Sequence, residues 1–227
     1  MELSVSLLHV NVGNTEQKLI SLLVDVPIFK SRVSAACENV MAAEPQITHF
    51  DTIIGDGDCG MTLARGAQAV LSFVNSTQLS SNAGETTLRI ANIIEDNMDG
   101  TSGAIFSIFL VALVSAIKAI PPSKRTLDTQ TWGTVGKAAL SQLQLATPAR
   151  QGDRTLMDAL EPFVESIANE DTVDIAVAKA KAGVEATKGM KATLGRAVYV
   201  EEGAWSVVPD PGAVGILCLI EGLAGVK

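Results

Sequence analysis

Apolar residues recur along most of the chain at the three- and four-residue spacing of helices that bury one face. No segment shows the sustained apolar and polar alternation of strands, and corners rich in Gly and Asp separate the apolar stretches. The pattern predicts helices over about Thr15–Val24, Pro27–Ala43, Thr62–Phe73, Thr86–Asn97, Ser102–Ala119, Trp132–Leu143, Thr155–Ile167, Val173–Lys188 and a last one after Pro211. We therefore expect one all-α domain of about eight helices.

Prolines mark several of the predicted helix ends. Pro27 fits the first turn of the second helix, where its missing N–H is not needed. Pro45 and Thr48 are expected to end that helix, because an interior proline removes a hydrogen bond and clashes with the preceding turn. Pro121 and Pro122 are expected to close the long apolar helix.

The composition is that of a folded, acidic protein. Hydrophobic residues make up 47% of the 227 residues and charged residues 19%, which argues against a disordered chain. The 17 basic and 25 acidic residues give a net charge of −8. Because there is no basic surplus to neutralise a phosphate backbone, we expect no nucleic-acid partner.

Cysteine usage and the N-terminal residues predict a reducing compartment. Cys37, Cys59 and Cys218 are widely spaced and odd in number, which fits neither a zinc site nor a disulfide framework. No Lys or Arg precedes Lys18, so the N-terminus lacks the basic start of a signal peptide. We therefore expect a cytoplasmic location.

The most apolar segment runs from Ala104 to Ile120. It contains Ser107, Ser115 and Lys118 and falls short of the roughly 20 clean apolar residues that a membrane-spanning helix needs. We expect a buried core helix here and no membrane partner.

The segment DTIIGDGDCGMT, residues 51–62, carries the most informative motif. Its glycines match a dinucleotide-binding loop, but Asp56 and Asp58 would lie against the pyrophosphate, and a P-loop needs Lys where Met61 stands. A calcium loop counted from Asp56 has the wrong residue at three required positions. None of these three loops therefore fits.

The carboxylates of Asp51, Asp56 and Asp58 lie within eight residues of one another. Such a cluster suits Mg²⁺, which typically takes one or two carboxylates and completes its shell with water and phosphate oxygens. A triphosphate carries a charge of about −4, so three aspartates can approach it only if about two divalent ions intervene. The alternative is that the aspartates cap helices or stabilise a turn. For the three together we favour metal binding.

Three further corners, Asp99–Gly103, Gly152–Thr155 and Asp210–Ala213, open predicted helices. Helix starts bind anions through free N–H groups, Thr101 and Ser102 add hydroxyls, and the second corner has an arginine at hand. Taken alone, each corner could be an ordinary N-cap. Together they suit a bundle whose ligand lies across one end.

Neither histidine nor cysteine offers a catalytic arrangement. His9 and His49 have no metal-like or triad-like neighbours and are expected to be surface or locally hydrogen-bonded residues. Cys59 lies beside the aspartates, and their negative charge is expected to raise its pKa, which argues against a nucleophilic role.

Five motifs follow one another along the chain: Asp51-x4-Asp56-Gly-Asp58-Cys-Gly60, Gly100-Thr-Ser-Gly103, Gly152-Asp-Arg-Thr155, Leu194-Gly-Arg-Ala197 and Asp210-Pro-Gly-Ala213. In order and spacing they closely resemble the nucleotide-binding domain, or L subunit, of dihydroxyacetone kinases. The resemblance implies an eight-helix antiparallel barrel with the nucleotide at its mouth. It also implies an N-terminal extension with a first helix at residues 1–26 and the nucleotide-binding domain at residues 27–227.

The resemblance assigns site residues as well. Asp51, Asp56 and Asp58 would hold two Mg²⁺ ions that bridge the phosphates of ATP or ADP. The phosphates would lie against Cys59, Gly60, Met61, Thr62, Gly100, Thr101 and Ser102. The adenosine side would be lined by Thr155, Leu156, Arg196, Asp210, Pro211 and Gly212.

The same resemblance implies a partner. In the family a separate K domain or subunit holds the ketose through a histidine that forms a hemiaminal. Cys59 resembles the ATP-dependent branch, whereas the phosphotransferase-system branch typically has His there and keeps ADP permanently bound. Fatty-acid kinases carry a related domain with a different lead-in to the loop and rank lower. A nucleotide-binding regulatory module that transfers no phosphate is the alternative from another class.

Two positions depart from the family pattern. Asp99 stands where the family usually has glycine, and Leu156 stands where it usually has methionine. The first departure is expected to weaken the phosphate turn, and the second to adjust only the packing of the adenine.

Overall fold

The computed structural model of the protein describes residues 24–121, 128–199 and 207–225, which contain eight α-helices and no strand. The helices are α1 (Val26–Ile54), α2 (Cys59–Ser76), α3 (Ala83–Asn97), α4 (Gly100–Ala119), α5 (Thr129–Ala146), α6 (Met157–Ala168), α7 (Val173–Ala186) and α8 (Pro211–Ala224). A short 3₁₀ helix spans Arg196–Tyr199. The predicted helix over Thr15–Val24 lies, except for its last residue, outside the described residues. The division of the chain at residue 26 stays a prediction.

The helices form a closed ring in chain order. Each helix packs against the next one, and α8 packs against α1 to close the ring. The connections from α1 to α2 and from α3 to α4 are a few residues long, so these neighbours run antiparallel. In such a ring α2, α4, α6 and α8 begin at the end where α1 stops. The predicted all-α class and eight-helix barrel are confirmed.

Two large apolar clusters fill most of the ring, and a smaller third cluster consists of Ala83, Ile117 and Val135. One large cluster is formed mainly by α5 to α8 and includes Leu143 and Met157, and the other is formed mainly by α1 to α3 and includes Val40 and Val74. Three partly buried side chains pack against both large clusters: Phe106, Val214 and Leu219. Each fully buried aliphatic or aromatic side chain of these clusters contributes roughly 1.5–3 kcal/mol to the free energy of unfolding, so the clusters stabilise the ring.

α1 and α8 close the ring through a close backbone approach. A Cβ atom on Gly222 of α8 would overlap the backbone of Ala36 in α1. Any larger residue at position 222 would therefore push the two helices apart.

α1 extends further than the sequence predicts. The expected end at Pro45 and Thr48 is wrong, because α1 continues through both residues to Ile54. An interior proline costs about 3 kcal/mol. Burial of Ile47 and Ile54 beyond the proline offsets that cost. The extension carries Asp51 to the end of the ring where α2 begins.

α4 is not the buried core helix that the sequence predicts. Its buried residues are Gly103, Ala112, Val114 and Ile117. Ile108 and Val111 are 39% and 46% exposed. α4 forms one wall of the ring between α3 and α5, so part of its apolar surface faces outward. By length and composition it could also cross a membrane, and the absence of a membrane partner stays a prediction.

Candidate functional site

The turn between α1 and α2 holds Asp51 in a fixed position. Asp51 lies in the last turn of α1 and is 7% exposed. Its Oδ2 accepts the N–H of Cys59 at 3.0 Å, which ties the end of α1 to the start of α2. A Cβ on Gly55 would overlap Oδ1 of Asp51, so glycine lets the chain pass over this carboxylate.

Three carboxylates meet at this turn. One oxygen each of Asp51, Asp56 and Asp58 lies within 4.8 Å of the others, and Asp56 and Asp58 are exposed. Gly57 between them has φ +78°, a conformation that glycine adopts at little cost. Oxygen donors at this separation suit a hard divalent cation, so the residues present fit the Mg²⁺ that the sequence predicts.

Three helix starts at this end of the ring, those of α2, α4 and α6, have no side-chain cap from their N-cap residue. The N-cap residues Asp58 of α2 and Asp99 of α4 make no side-chain hydrogen bond to their helix. By contrast, the helices that begin at the opposite end, α1, α3, α5 and α7, are all capped by a side chain. Uncapped first turns present backbone N–H groups and the positive end of the helix dipole, which together favour an anion.

The predicted phosphate residues occupy the first turns of α2 and α4. In α2, Gly60 is buried, Cys59 and Thr62 are half-buried, and Met61 is 57% exposed. In α4, Gly100 has φ +70°, Thr101 is exposed and Ser102 is half-buried. The hydrogen bond between Asp51 and Cys59 links the predicted site residues of α1 directly to those of α2. Among the described residues the first turn of α4 has no such bond to α1, and α4 packs against α2.

Arg154, the arginine of the corner Gly152–Thr155, is buried rather than exposed at the end of the ring. Its side chain is 1% exposed and turned into the protein. Its Nε donates to the carbonyl of Thr187 at 3.2 Å and its Nη2 to the carbonyl of Val208 at 2.8 Å. Its φ of 60° is uncommon for a residue other than glycine. Arg154 therefore joins the start of α6 to both ends of the connection between α7 and α8.

Asp158 stabilises the same corner, although it is not among the site residues predicted from the sequence. Its carboxylate is 1% exposed and accepts the N–H of Gly152 at 2.6 Å and the N–H of Thr155 at 2.8 Å. The spacing Thr155-x-x-Asp158 is a helix-start signal that could have identified it. This carboxylate therefore holds Thr155, one of the predicted adenosine residues, in place.

Asp210 is the N-cap of α8. Its Oδ1 accepts the N–H of Ala213 at 2.8 Å, and its own N–H donates to Oγ1 of Thr187 at 2.8 Å. Pro211 is buried, and a Cβ on Gly212 would lie 3.4 Å from Cβ of Leu156. The corners before α6 and α8 therefore adjoin. Like Asp158, Thr187 stabilises these corners although no motif in the sequence indicates it.

The 3₁₀ helix that begins at Arg196 is connected to these corners through its preceding residues. The hydroxyl of Thr193 donates to Oδ1 of Asp153 at 3.0 Å. The side chain of Arg196 lies outside the described part of the chain, so its contact with adenosine stays a prediction.

The pKa of the Cys59 thiol is raised to about 12, mainly by burial and in addition by the nearby carboxylates of Asp51, Asp210, Asp58 and Asp56. The predicted direction is confirmed, although burial is the larger cause. Cys59 is therefore a neutral thiol at neutral pH and a poor nucleophile.

Burial raises the pKa of the Asp210 carboxyl from 3.8 to about 7, against the opposing effects of the Ala213 N–H and Arg154. A raised pKa means that this group stabilises the fold when protonated, and that this stabilisation is lost as pH rises from about 4 to about 7. Between pH 5 and pH 8, without added metal or nucleotide, the free energy of unfolding should fall by about 2 kcal/mol more in the wild type than in Asp210→Asn. Urea unfolding at both pH values measures this difference. Equal pH dependence of the two proteins would show that Asp210 titrates normally.

The eight helices of the described residues form an all-α ring with a cluster of three carboxylates at one end. The chain belongs to the DAK2 domain family, which it matches over residues 53–225.

Curated relatives carry kinase names and are longer than this chain. Dihydroxyacetone kinase of Komagataella pastoris is 38% identical over 224 residues, which cover 95% of this chain and 36% of the relative. Dihydroxyacetone kinase 2 of Saccharomyces cerevisiae is 38% identical, over 87% of this chain and 34% of the relative. Triokinase/FMN cyclase of Homo sapiens is 29% identical, over 82% and 33%. The chain thus spans about a third of the length of these relatives.

Two solved structures share the fold. The native dihydroxyacetone kinase of C. freundii matches with a TM-score of 0.73 and 22% identity, over 99% of this chain and 38% of that one. The same enzyme in complex with AMP-PNP and Mg²⁺ matches with a TM-score of 0.70 and 21% identity, over the same shares of the two chains.

Proposed function

We propose that this chain is the nucleotide-binding part of a dihydroxyacetone kinase. It binds ATP with Mg²⁺, and the γ-phosphate passes to a short ketose held by a separate K domain or subunit. The family and the kinase names of the relatives support this class of activity. One structural neighbour is a complex with AMP-PNP and Mg²⁺, which supports the nucleotide and the metal.

One observation carries the proposal: three carboxylates gather within 4.8 Å at the end of the ring where α2 and α4 begin without side-chain caps. The helix starts attract the phosphates of a nucleotide, whereas the carboxylates alone would repel them. A site that joins both features is suited to an anion that arrives with divalent cations.

Different groups of the chain would bind the metal ions and the phosphates. Asp51, Asp56 and Asp58 would hold two Mg²⁺ ions, which when bound neutralise the charge of the phosphates and of the transferring group. The N–H groups of the first turns of α2 and α4 fix the phosphate chain. Cys59, a neutral thiol, contributes its backbone N–H to the turn and takes no part as a nucleophile.

The ketose is assigned to a partner. Phosphoryl transfer is mostly positioning and charge stabilisation, and this chain supplies the nucleotide half of that arrangement. The relatives are about three times as long as the matched segment, so their remaining length has room for a ketose-binding domain. We place the protein in the cytoplasm, in keeping with the free thiols of its three cysteines.

ATP is the favoured phosphate donor because Cys59 after Gly-Asp-Gly-Asp resembles the ATP-dependent branch of the family. The second candidate is an L subunit of the phosphotransferase type, which keeps ADP bound and is rephosphorylated by a phosphohistidine protein. A regulatory module that binds nucleotide without transfer would use the same carboxylates and helix starts. Kinetics with a K partner separate these functions.

Binding of ADP is expected to depend on Mg²⁺, because three aspartates repel phosphate unless cations intervene. Isothermal titration calorimetry of the whole chain should show saturable ADP binding with millimolar Mg²⁺ and little binding in excess chelator. Equal affinity under both conditions would contradict the cation-bridged site.

A further inference from the structure

The corner between α3 and α4 is held against α2 by Arg65. Nε of Arg65 donates to the carbonyl of Asn97 at 2.6 Å, and Nη2 donates to Oδ2 of Asp99 at 2.6 Å. Arg65 lies two turns into α2, which begins at Cys59. A single side chain therefore connects α2 to the start of α4, and both of these helices begin without a side-chain cap.

Packing of Met98 supports this connection. Met98 is 5% exposed, and a Cβ on Gly66 of α2 would overlap its sulfur atom. A Cβ on Gly103 of α4 would overlap the carbonyl oxygen of Met98. Two glycines thus allow the corner to rest directly on α2, and Arg65, next to Gly66 in the sequence, binds the residues on both sides of Met98.

Arg65 also forms an ion pair with Asp99, whose negative charge lies at the start of α4. As the N-cap of α4, Asp99 carries a negative charge beside the N–H groups proposed to bind phosphate, and its carboxylate makes no cap hydrogen bond. Asp99 is 91% exposed at its side chain. Without a counter-charge, Asp99 would repel an incoming phosphate. The guanidinium of Arg65 supplies the counter-charge at 2.6 Å.

We infer that Arg65 is a positioning residue for the nucleotide: it holds the first turn of α4 beside that of α2 and cancels the charge of Asp99. This inference rests on the proposed function. Arg65 acts through Asn97 and Asp99, so its loss is expected to weaken phosphate binding without removing a direct ligand contact.

A double-mutant cycle on the full chain tests the inference, with calorimetry of ADP in Mg²⁺. Arg65→Gln should raise the Kd roughly three- to five-fold, because Asp99 is left unpaired beside the phosphates. Asp99→Asn should bind at least as tightly as the wild type. In the Asp99→Asn background, Arg65→Gln should have a clearly smaller effect, since the charge that it uncovers is gone.

Ionic strength provides a readout that a purely structural role would not move. The loss in Arg65→Gln should shrink between about 0.05 and 0.5 M salt, because exposed charges are screened over a shorter distance. An unchanged Kd in Arg65→Gln would overturn the inference. So would a loss of equal size with and without Asp99, or one that salt does not relieve.

Arg89→Gln is the matched control. It removes the same charge from an exposed arginine of α3, whose guanidinium lies 4.5 Å from the ring centre of Phe73 near the far end of α2. Its ADP affinity should equal that of the wild type. Arg65→Lys, which keeps the charge but cannot reach both partners as a fork, should fall between wild type and Arg65→Gln and serves if the latter fails to fold. If the wild type itself does not bind ADP with Mg²⁺, the proposed function fails; if it binds and Arg65→Gln is unaffected, only this inference fails.

Discussion

Asp56→Asn and Asp58→Asn are each expected to weaken Mg²⁺-dependent ADP binding by at least about 100-fold. Loss of residues that only support a metal ligand typically costs 10- to 100-fold in metal affinity, so loss of a ligand itself should cost at least as much. Asparagine keeps the size of the side chain and removes the charge that attracts the cation. Calorimetry with and without Mg²⁺ measures both the affinity and the remaining metal dependence.

The fold should survive these two substitutions. Asp56 and Asp58 are exposed, so circular dichroism should show unchanged helicity and the melting temperature should move little. Asp174→Asn removes an exposed carboxylate at the start of α7, at the opposite end of the ring, and should leave ADP binding intact. If Asp56→Asn or Asp58→Asn unfolded the chain instead, the aspartates would be turn-stabilising residues rather than metal ligands.

Phosphoryl transfer is expected to appear only when a K partner is added. Alone, the chain holds a nucleotide but has no assigned residue for fixing a ketose, so its transfer of labelled γ-phosphate from ATP to dihydroxyacetone should be close to background. Addition of a K domain from a dihydroxyacetone kinase should raise transfer by orders of magnitude. No phosphohistidine protein should be needed.

Three outcomes of this experiment would change the assignment. Transfer by the chain alone would reveal a ketose site within it. Transfer only after addition of a phosphohistidine donor would place the chain in the phosphotransferase branch. Tight ADP binding with no transfer under any condition would favour a regulatory module. The Asp58→Asn variant, assayed in parallel with the K partner, separates transfer through the acidic turn from background phosphorylation.

The sequence alone determined the class of fold and the chemistry of one corner. Helix periodicity is a local property, and seven of the helices that it predicts appear within a few residues of their expected ends. The turn of Asp51, Asp56 and Asp58 could also be found locally, because its carboxylates and glycines lie within ten residues of sequence. Charge arithmetic then indicated divalent cations without any knowledge of the fold.

Only the tertiary structure shows the contacts between residues far apart in sequence, and these contacts determine the length of α1 and the orientation of Arg154. α1 continues through Pro45 because Ile47 and Ile54 beyond it are buried in the folded protein, and local helix propensity does not include that burial. Arg154 turns inward because the carbonyls of Thr187 and Val208, more than thirty residues further along the chain, require a donor.

The support of the candidate site likewise depends on contacts far apart in sequence. Arg65 and Asp99 are 34 residues apart, and only the packing of the α3–α4 corner on α2 brings their charges together. At the sequence level Asp99 was expected to weaken the phosphate turn, whereas the fold places a guanidinium beside it. Periodicity and motif spacing describe one segment at a time, so they locate helix starts and ligands but cannot show which of them meet.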